Sequence, residues 1–251
     1  MMKREKVLIE SSEVIAKDTV EMVLYSMYIS DVAKPGQFIH IAVEGHTLRR
    51  PISIATVDRE RETITILFKI DGSGTKQLAE YSVGKELDVI GPLGNGFPVN
   101  ERDGSTILLI GGGIGVPPLY NLGKLLVKEG FNVKSILGFQ TGASVFYEDY
   151  FKQLGETYVV TNDGSYGHQG FVTDVMSEVG DFDTYYSCGP IPMLKAIKER
   201  LPEKHGFLSL EERMGCGVGA CYACVVKTRD EQGYKKICHD GPVFTSQEVI
   251  L

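Results

Sequence analysis

No stretch of this 251-residue chain approaches the roughly 18 consecutive apolar residues of a membrane-spanning helix, so no membrane partner is expected. The opening MMKREKVLIESSEV is positively charged but lacks the apolar run of a signal peptide. Positive charge is in deficit overall. Lys and Arg number 26 against 33 Asp and Glu, a formal charge of −7. That balance argues against nucleic acid as a partner, because phosphate binding wants a basic face. There are no repeats or low-complexity tracts. The five histidines (His40, His46, His168, His205, His239) are scattered, with no ligand pair at helical spacing, and surface or core roles are expected for them. Asp and Glu are equally dispersed, and no site for acid–base chemistry stands out. Cysteine is scarce until the end: 5 in all, four of them between Cys216 and Cys238. An odd, clustered set is not the disulfide framework of a secreted protein. A cytoplasmic protein with a metal site fits better.

What is present organises into three regions. At roughly 100–200 residues per domain, the length suggests two domains and a small third module. A hydrophobic fraction of 43% and a charged fraction of 24% are ordinary for a globular protein. Residues 1–100 read as strands: VLIESSEVI, VEMVLYSMYI, QFIHIAV, PISIATV, TITILFKI and ELDVIG, punctuated by Lys34-Pro35-Gly36, Glu44-Gly45 and Asp71-Gly72. Short strands so spaced predict an antiparallel β-barrel. Over 101–205 strands alternate with helices. STILLIGGG leads into PPLYNLGKLLVKEG, whose Leu119, Leu122, Leu125 and Leu126 sit near helical spacing with Gly130 as a stop. NVKSILGF, TYVVT, a helix around TDVMSEV, TYYSCG and the helix IPMLKAIKERL follow. That rhythm predicts an α/β domain with a parallel sheet. Residues 206–251 form a short Gly- and Cys-rich module.

Cys216-x4-Cys221-x2-Cys224, with Cys238 after thirteen intervening residues, matches the C-x4-C-x2-C…C pattern of plant-type [2Fe–2S] proteins. A loop curling round two irons needs its backbone N–H groups close to the sulfurs, hence small residues. Gly215, Gly217, Gly219, Ala220 and Ala223 supply them. The rival is structural zinc, which also takes four cysteines, but zinc ribbons usually pair two C-x2-C units. Cys188 falls outside the spacing, as either a buried small residue or a neighbour of a ligand.

Ile110-Gly111-Gly112-Gly113-Ile114-Gly115-Val116-Pro117-Pro118 joins a strand to a helix. Glycine lets backbone approach a pyrophosphate, and a helix N-terminus favours anions. The alternative is a tight turn without a ligand. The run is not a regular G-x-G-x-x-G, and an acidic residue about 20 positions on is not obvious. Cys188-Gly189-Pro190 ends a later strand in the same way, and both turns would lie at the carboxyl ends of parallel strands, where ligands bind. Between Gly138 and Gly170 the only cation is Lys152, which favours NAD over NADP, since a 2′-phosphate needs a cation near the ribose. Asp163 is either a ribose partner or a turn residue of Asn162-Asp163-Gly164.

Arg49-Arg50-Pro51-Ile52-Ser53 opens a barrel strand. Arg beside Pro can clamp a phosphate, or pair with an acid at a strand edge. Leu67-Phe68-Lys69 and Gly74-Thr75 follow. The order of barrel with R-P-I-S, then G-T, then G-G-G-I-G-V-P-P, then C-G-P resembles the ferredoxin reductase superfamily. With the four-Cys loop and the run Glu212-Arg213-Met214-Gly215-Cys216-Gly217-Val218-Gly219-Ala220-Cys221-Tyr222-Ala223-Cys224, nearly the whole chain resembles the electron-transfer subunits of type B dihydroorotate dehydrogenases.

That resemblance implies FAD on Arg50, Pro51, Ile52, Ser53, Leu67, Phe68, Lys69, Gly74 and Thr75. It implies NAD at Gly111, Gly112, Gly113, Gly115, Pro117, Cys188, Gly189 and Pro190, and a [2Fe–2S] cluster on Cys216, Cys221, Cys224 and Cys238. It further implies an FMN-bearing dihydroorotate dehydrogenase catalytic partner, two of each chain, in pyrimidine biosynthesis. The alternatives are a reductase subunit of another NAD(P)H-dependent ferredoxin or hydrogenase system, and a metal-stabilised binding module. Tyr222, between two ligands, is expected either to meet a partner or to shield the cluster.

Overall fold

The computed structural model describes residues 2–99 and 105–251. Six strands, β1 (Lys3–Ala16), β2 (Thr19–Tyr25), β3 (Phe38–Ile41), β4 (Arg50–Asp58), β5 (Thr63–Lys69) and β6 (Glu86–Leu93), close into a barrel in the order β1-β2-β5-β4-β3-β6. Every pairing is antiparallel, and β6 returns to β1, so no strand edge is left open. The period-2 pattern does what the sequence predicts: Val20, Met22 and Leu24 of β2 and Ile64, Ile66 and Phe68 of β5 turn into the barrel core. The expected second strand is shorter than read. Ser26 accepts a hydrogen bond from the Ile29 backbone N–H at 3.0 Å and starts a short helix, α1 (Met27–Val32). A second, α2 (Ser73–Ala79), lies between β5 and β6.

The next sheet comprises β7 (Thr106–Gly112), β8 (Asn132–Phe139), β9 (Gly155–Thr161), β10 (His168–Gln169), β11 (Thr184–Cys188) and β12 (His205–Ser209), all parallel. Ile107 to Ile110 of β7 are fully buried, as a central parallel strand requires. The strand order β10-β9-β8-β7-β11-β12 turns round beside β7. The glycine-rich turn after β7 and the C-G-P turn after β11 therefore flank the topological switch point, where an open α/β sheet leaves a crevice. Helix α3 (Val116–Lys128) begins with Pro117 and Pro118 in its first turn and buries Leu119, Leu122 and Leu126. Gly130, at φ +86°, ends it. The helix also packs on β4, which joins the sheet domain to the barrel. Tyr147 adds a hydrogen bond across the same junction, its phenol donating to Glu21 of β2 at 2.5 Å.

Two sequence expectations differ here. The polar stretch after β8 contains a helix, α4 (Glu148–Lys152), and TDVMSEV is not helical. Val172, Val175, Met176 and Val179 are buried at helix-like spacing. The segment instead runs as tight turns, with Asp174 N–H bonding Phe171 O and Glu178 N–H bonding Val175 O. Gly170 at φ +125° and the Asp174 carboxylate, which accepts from Phe171 N–H, favour the turn over helix continuation.

After α5 (Ile191–Arg200) and β12, the chain enters the cysteine-bearing segment. There β13 (Val225–Thr228), β14 (Tyr234–Lys236) and β16 (Val249–Ile250) form a three-stranded sheet, and α6 (Ile237–Asp240) carries Cys238. Between them, β15 (Val243–Thr245) returns to pair antiparallel with β12. A division at 206 thus cuts a strand of the parallel sheet, because the apolar run HGFLSL is consumed there. The division at 100/101 lies outside the described residues.

Candidate cofactor and cluster sites

The start of β4 and the turn before α2 meet in space. The Arg50 guanidinium lies over Gly74, where an added Cβ would stand 2.2 Å from Arg50 Nε. The two arginines of Arg49-Arg50 have different work. Arg49 bonds the Asp88 carboxylate at 2.8 Å and its carbonyl at 2.9 Å. Arg4 reaches the same carboxylate, and hydrogen bonds to Arg4 and then Arg49 hold it down at about 2 against the penalty of burial. No carboxylate pairs with Arg50 among the described residues. Its donors go to the Leu48 carbonyl and to His46 Nδ1 at 3.1 Å, which leaves it open to an anion. The acid-paired strand-edge reading thus suits Arg49 and not Arg50. Pro51 and Ser53 are half-buried, and Ile52 is buried. Thr75 Oγ1 accepts from the N–H groups of Asp71 and Gly72, so this hydroxyl serves the turn itself.

A cavity of about 700 Å³ opens between the barrel and the carboxyl ends of the parallel strands. Gly112, Gly113, Gly189, Pro190 and Lys69 line it, joined by Thr19, Phe139, Asn162, Phe171, Met193 and Glu211. The structure therefore brings the two glycine turns together with the end of the Leu67-Phe68-Lys69 triplet. Phe68 packs in the barrel core and Leu67 in the core shared with α3, so only Lys69 of the three lines the cavity. Gly111, Gly115, Pro117 and Cys188 stand behind the wall. A Cβ on Gly115 would lie 2.2 Å from the Cys188 carbonyl, and one on Gly111 2.8 Å from Val116. These glycines let strand, turn and helix pack. Cys188 is fully buried, and burial first, with Glu211 nearby, pushes its thiol well above the ordinary range. It is buried and does not itself line the cavity, although the next two residues, Gly189 and Pro190, do. Asp163 accepts from Ser165 N–H at 3.0 Å and Oγ at 2.6 Å, as a turn residue, and does not line the cavity. The lining residues missed in the sequence, such as Thr19, Phe171 and Met193, carry no local motif and meet only through the fold.

The four clustered cysteines come together in two pairs. Cys216 lies against Cys221, and Cys238 against Cys224. Backbone donors point at the sulfurs: Val218 N–H and Cys221 N–H to Cys216 Sγ at 3.4 and 3.3 Å, and Gly219 N–H to Cys238 Sγ at 3.2 Å. Burial alone would raise the Cys216 thiol, yet the N–H groups of Val218 and Cys221 outweigh it and bring it to about 6. Cys238, more deeply placed and beside Cys224, is pushed up to about 12. Gly217 at φ +72° and Gly219 at φ +80° make the curl, and a Cβ on either would strike the His40 or His239 ring. Two thiols per iron under N–H donors suit a two-iron cluster. Among the described residues no group of three or more His, Cys, Asp or Glu is arranged around one point as a single metal ion requires, which disfavours the zinc alternative. Glu211 ties the two sites, since it lines the cavity and the chain runs from it directly into the cysteine loop.

Comparison with known proteins agrees with this geometry. Residues 211–250 match the iron-sulfur cluster binding domain of dihydroorotate dehydrogenase B. The electron transfer subunit of dihydroorotate dehydrogenase B (NAD(+)) from Shouchella clausii is 53% identical over 256 aligned positions, covering 99% of each chain. The chain belongs to this family of electron transfer subunits. The Bacillus cereus (strain G9842) member is 52% identical over the full length of both chains. A solved structure of an NADH-dependent reduced ferredoxin-NADP oxidoreductase superposes with a TM-score of 0.89 at 30% identity, over 97% of this chain and 89% of that one. That extent of overlap takes in barrel, parallel sheet and terminal module together. Tyr222, between two of the cysteines, is 64% exposed. It leans on Tyr234, with Lys236 Nζ 4.2 Å from its ring centre.

Proposed function

We propose that this chain passes electrons between a dihydroorotate dehydrogenase catalytic subunit and NAD, with FAD and a [2Fe–2S] cluster as its resident groups. The net reaction of the complex would be dihydroorotate plus NAD⁺ giving orotate, NADH and a proton. When bound, the flavin supplies both two-electron exchange with the nicotinamide and one-electron exchange with the cluster.

The chain's own residues divide the work. Arg50, with no acidic partner among the described residues and cradled by Gly74, would hold a flavin phosphate, with Pro51 to Ser53 and the backbone of Leu67 to Thr75 beside it. Gly112, Gly113, Gly189 and Pro190 would let NAD pack against backbone at the switch point. Gly111, Gly115, Pro117 and Cys188 would shape that wall from behind. Cys216, Cys221, Cys224 and Cys238 would hold the cluster, and the exposed Tyr222 would meet the partner. The partner would carry FMN, in a complex of two plus two chains. No helix is long and apolar enough to cross a membrane among the described residues. The exclusion of nucleic acid rests on the charge balance alone, and a cytoplasmic place on cysteine usage.

The observation that carries this reading is the set of four thiols in two pairs under backbone N–H donors, reached directly from the cavity wall at Glu211. An absorption spectrum with iron and sulfide analysis tests it. Flavin and cluster bands with two irons and two sulfides per chain are expected. A colourless protein containing zinc would contradict it.

A further inference from the structure

His40 is fully buried, and neither ring nitrogen has a hydrogen-bond partner among the described residues. A buried polar group left in this state calls for an explanation. Its position supplies one. His40 lies on β3 directly opposite Pro51 of β4, within the segment assigned above to flavin. Arg49 donates to its carbonyl at 3.3 Å, next to Arg50. The ring packs on the cysteine loop. A Cβ on Gly217 would stand 2.4 Å from His40 Nδ1, and Gly217 follows the ligand Cys216. The carbonyls of Arg49 and Cys216 approach the ring without reaching hydrogen-bond geometry. One residue therefore joins the strand that pairs with the flavin-binding segment to the cysteine loop.

We propose that His40 is a positioning residue that ties the cluster loop to the flavin-binding strand, its Nδ1–H bonding the Cys216 carbonyl. This rests on the function proposed above and deepens it. Fixing that carbonyl fixes Gly217 and, beyond it, the Val218 and Cys221 N–H groups at 3.4 and 3.3 Å from Cys216 Sγ. Donors to a cluster sulfur stabilise its more negative, reduced state and so raise its potential. His40 thereby sets both the place of the cluster against the flavin and the ease of its reduction.

The test compares His40→Leu, which fills the space without a donor, with His40→Asn, whose amide nitrogen stands about where Nδ1 does. Both are made in the complex with the catalytic subunit and read by electron paramagnetic resonance during a redox titration, with FAD content measured alongside. The Leu variant should shift the reduced-to-oxidised ratio at fixed potential at least tenfold toward oxidised, ~59 mV for a one-electron couple, or lose the cluster. The Asn variant should stay within about threefold of the unaltered protein, and FAD should be retained in both. A Leu variant indistinguishable from the unaltered protein, equal shifts in the two variants, or cluster loss in both would overturn the proposal. An unaltered protein with no reduced [2Fe–2S] signal would instead overturn the functional reading beneath it.

Discussion

Arg50 lies across Gly74 so closely that any side chain at 74 would occupy the guanidinium's place, with the first added carbon 2.2 Å from Nε. Two segments separated in sequence thus form one cradle. Arg50→Ala should weaken FAD binding by about 1.5–3 kcal/mol, the worth of a hydrogen bond to a charged group, or about 10- to 150-fold in Kd. Gly74→Ala should weaken it too, by displacing an arginine that is still present. Flavin content after purification and fluorescence titration of the stripped protein measure both. Undiminished affinity in the two variants would move the phosphate elsewhere.

The proposed assignment divides the cysteines between cluster and core. Cys221→Ser should abolish the [2Fe–2S] signal while leaving bound FAD, because the thiols and the Arg50 cradle stand on different elements. Cys188→Ser should retain both groups, since Cys188 is fully buried in the core beside the parallel sheet. Iron and flavin analysis decides. Iron lost from Cys188→Ser and kept by Cys221→Ser would reverse the assignment.

Asp88 gives the barrel a defined acid sensitivity. Arg4 and Arg49 hold its carboxyl at about 2 in the folded state, from an ordinary 3.8. A lowered pKa means that the folded state binds its proton later than the unfolded chain does. The stabilisation is therefore complete above about pH 4 and is lost as pH falls from there toward 2. Urea denaturation across pH should show Asp88→Asn less stable than the unaltered protein at pH 7, with the difference shrinking below pH 4. A difference that persists unchanged at pH 2 would contradict the pairing.

NAD should be preferred over NADP. Lys152, the only cation between Gly138 and Gly170, is held by Glu148 at 2.7 Å and is not free for a 2′-phosphate. Steady-state assays with both nucleotides should give the higher kcat/KM with NADH. A higher value with NADPH would point to a cation recruited from elsewhere.

Much of this architecture is legible in the amino-acid pattern. Period-2 strands specify the barrel, the β–α rhythm specifies the parallel sheet, and the C-x4-C-x2-C…C spacing singles out four thiols that the fold brings together. These signals are local. What misleads is local pattern without local chemistry. The buried valines of 172–179 mimic a helix, yet Gly170 and Asp174 make turns. The glycines of the β7 turn look alike in sequence, but only Gly112 and Gly113 line the cavity, while Gly111 and Gly115 accommodate Val116 and Cys188. His40 reads as an ordinary scattered histidine, because its meeting with Gly217 depends on two segments 177 positions apart. Lining residues such as Thr19, Phe171 and Met193 are hidden for the same reason.

The central claim is that this chain links dihydroorotate oxidation to NAD only together with a catalytic partner. The most direct measurement is NADH formation from dihydroorotate and NAD⁺ by the chain alone, by the catalytic subunit alone, and by the two combined after co-purification. Orotate and NADH should appear in equal amounts only from the combined preparation. Dihydroorotate turnover by the isolated chain, or two subunits that neither co-purify nor couple orotate formation to NADH, would contradict it.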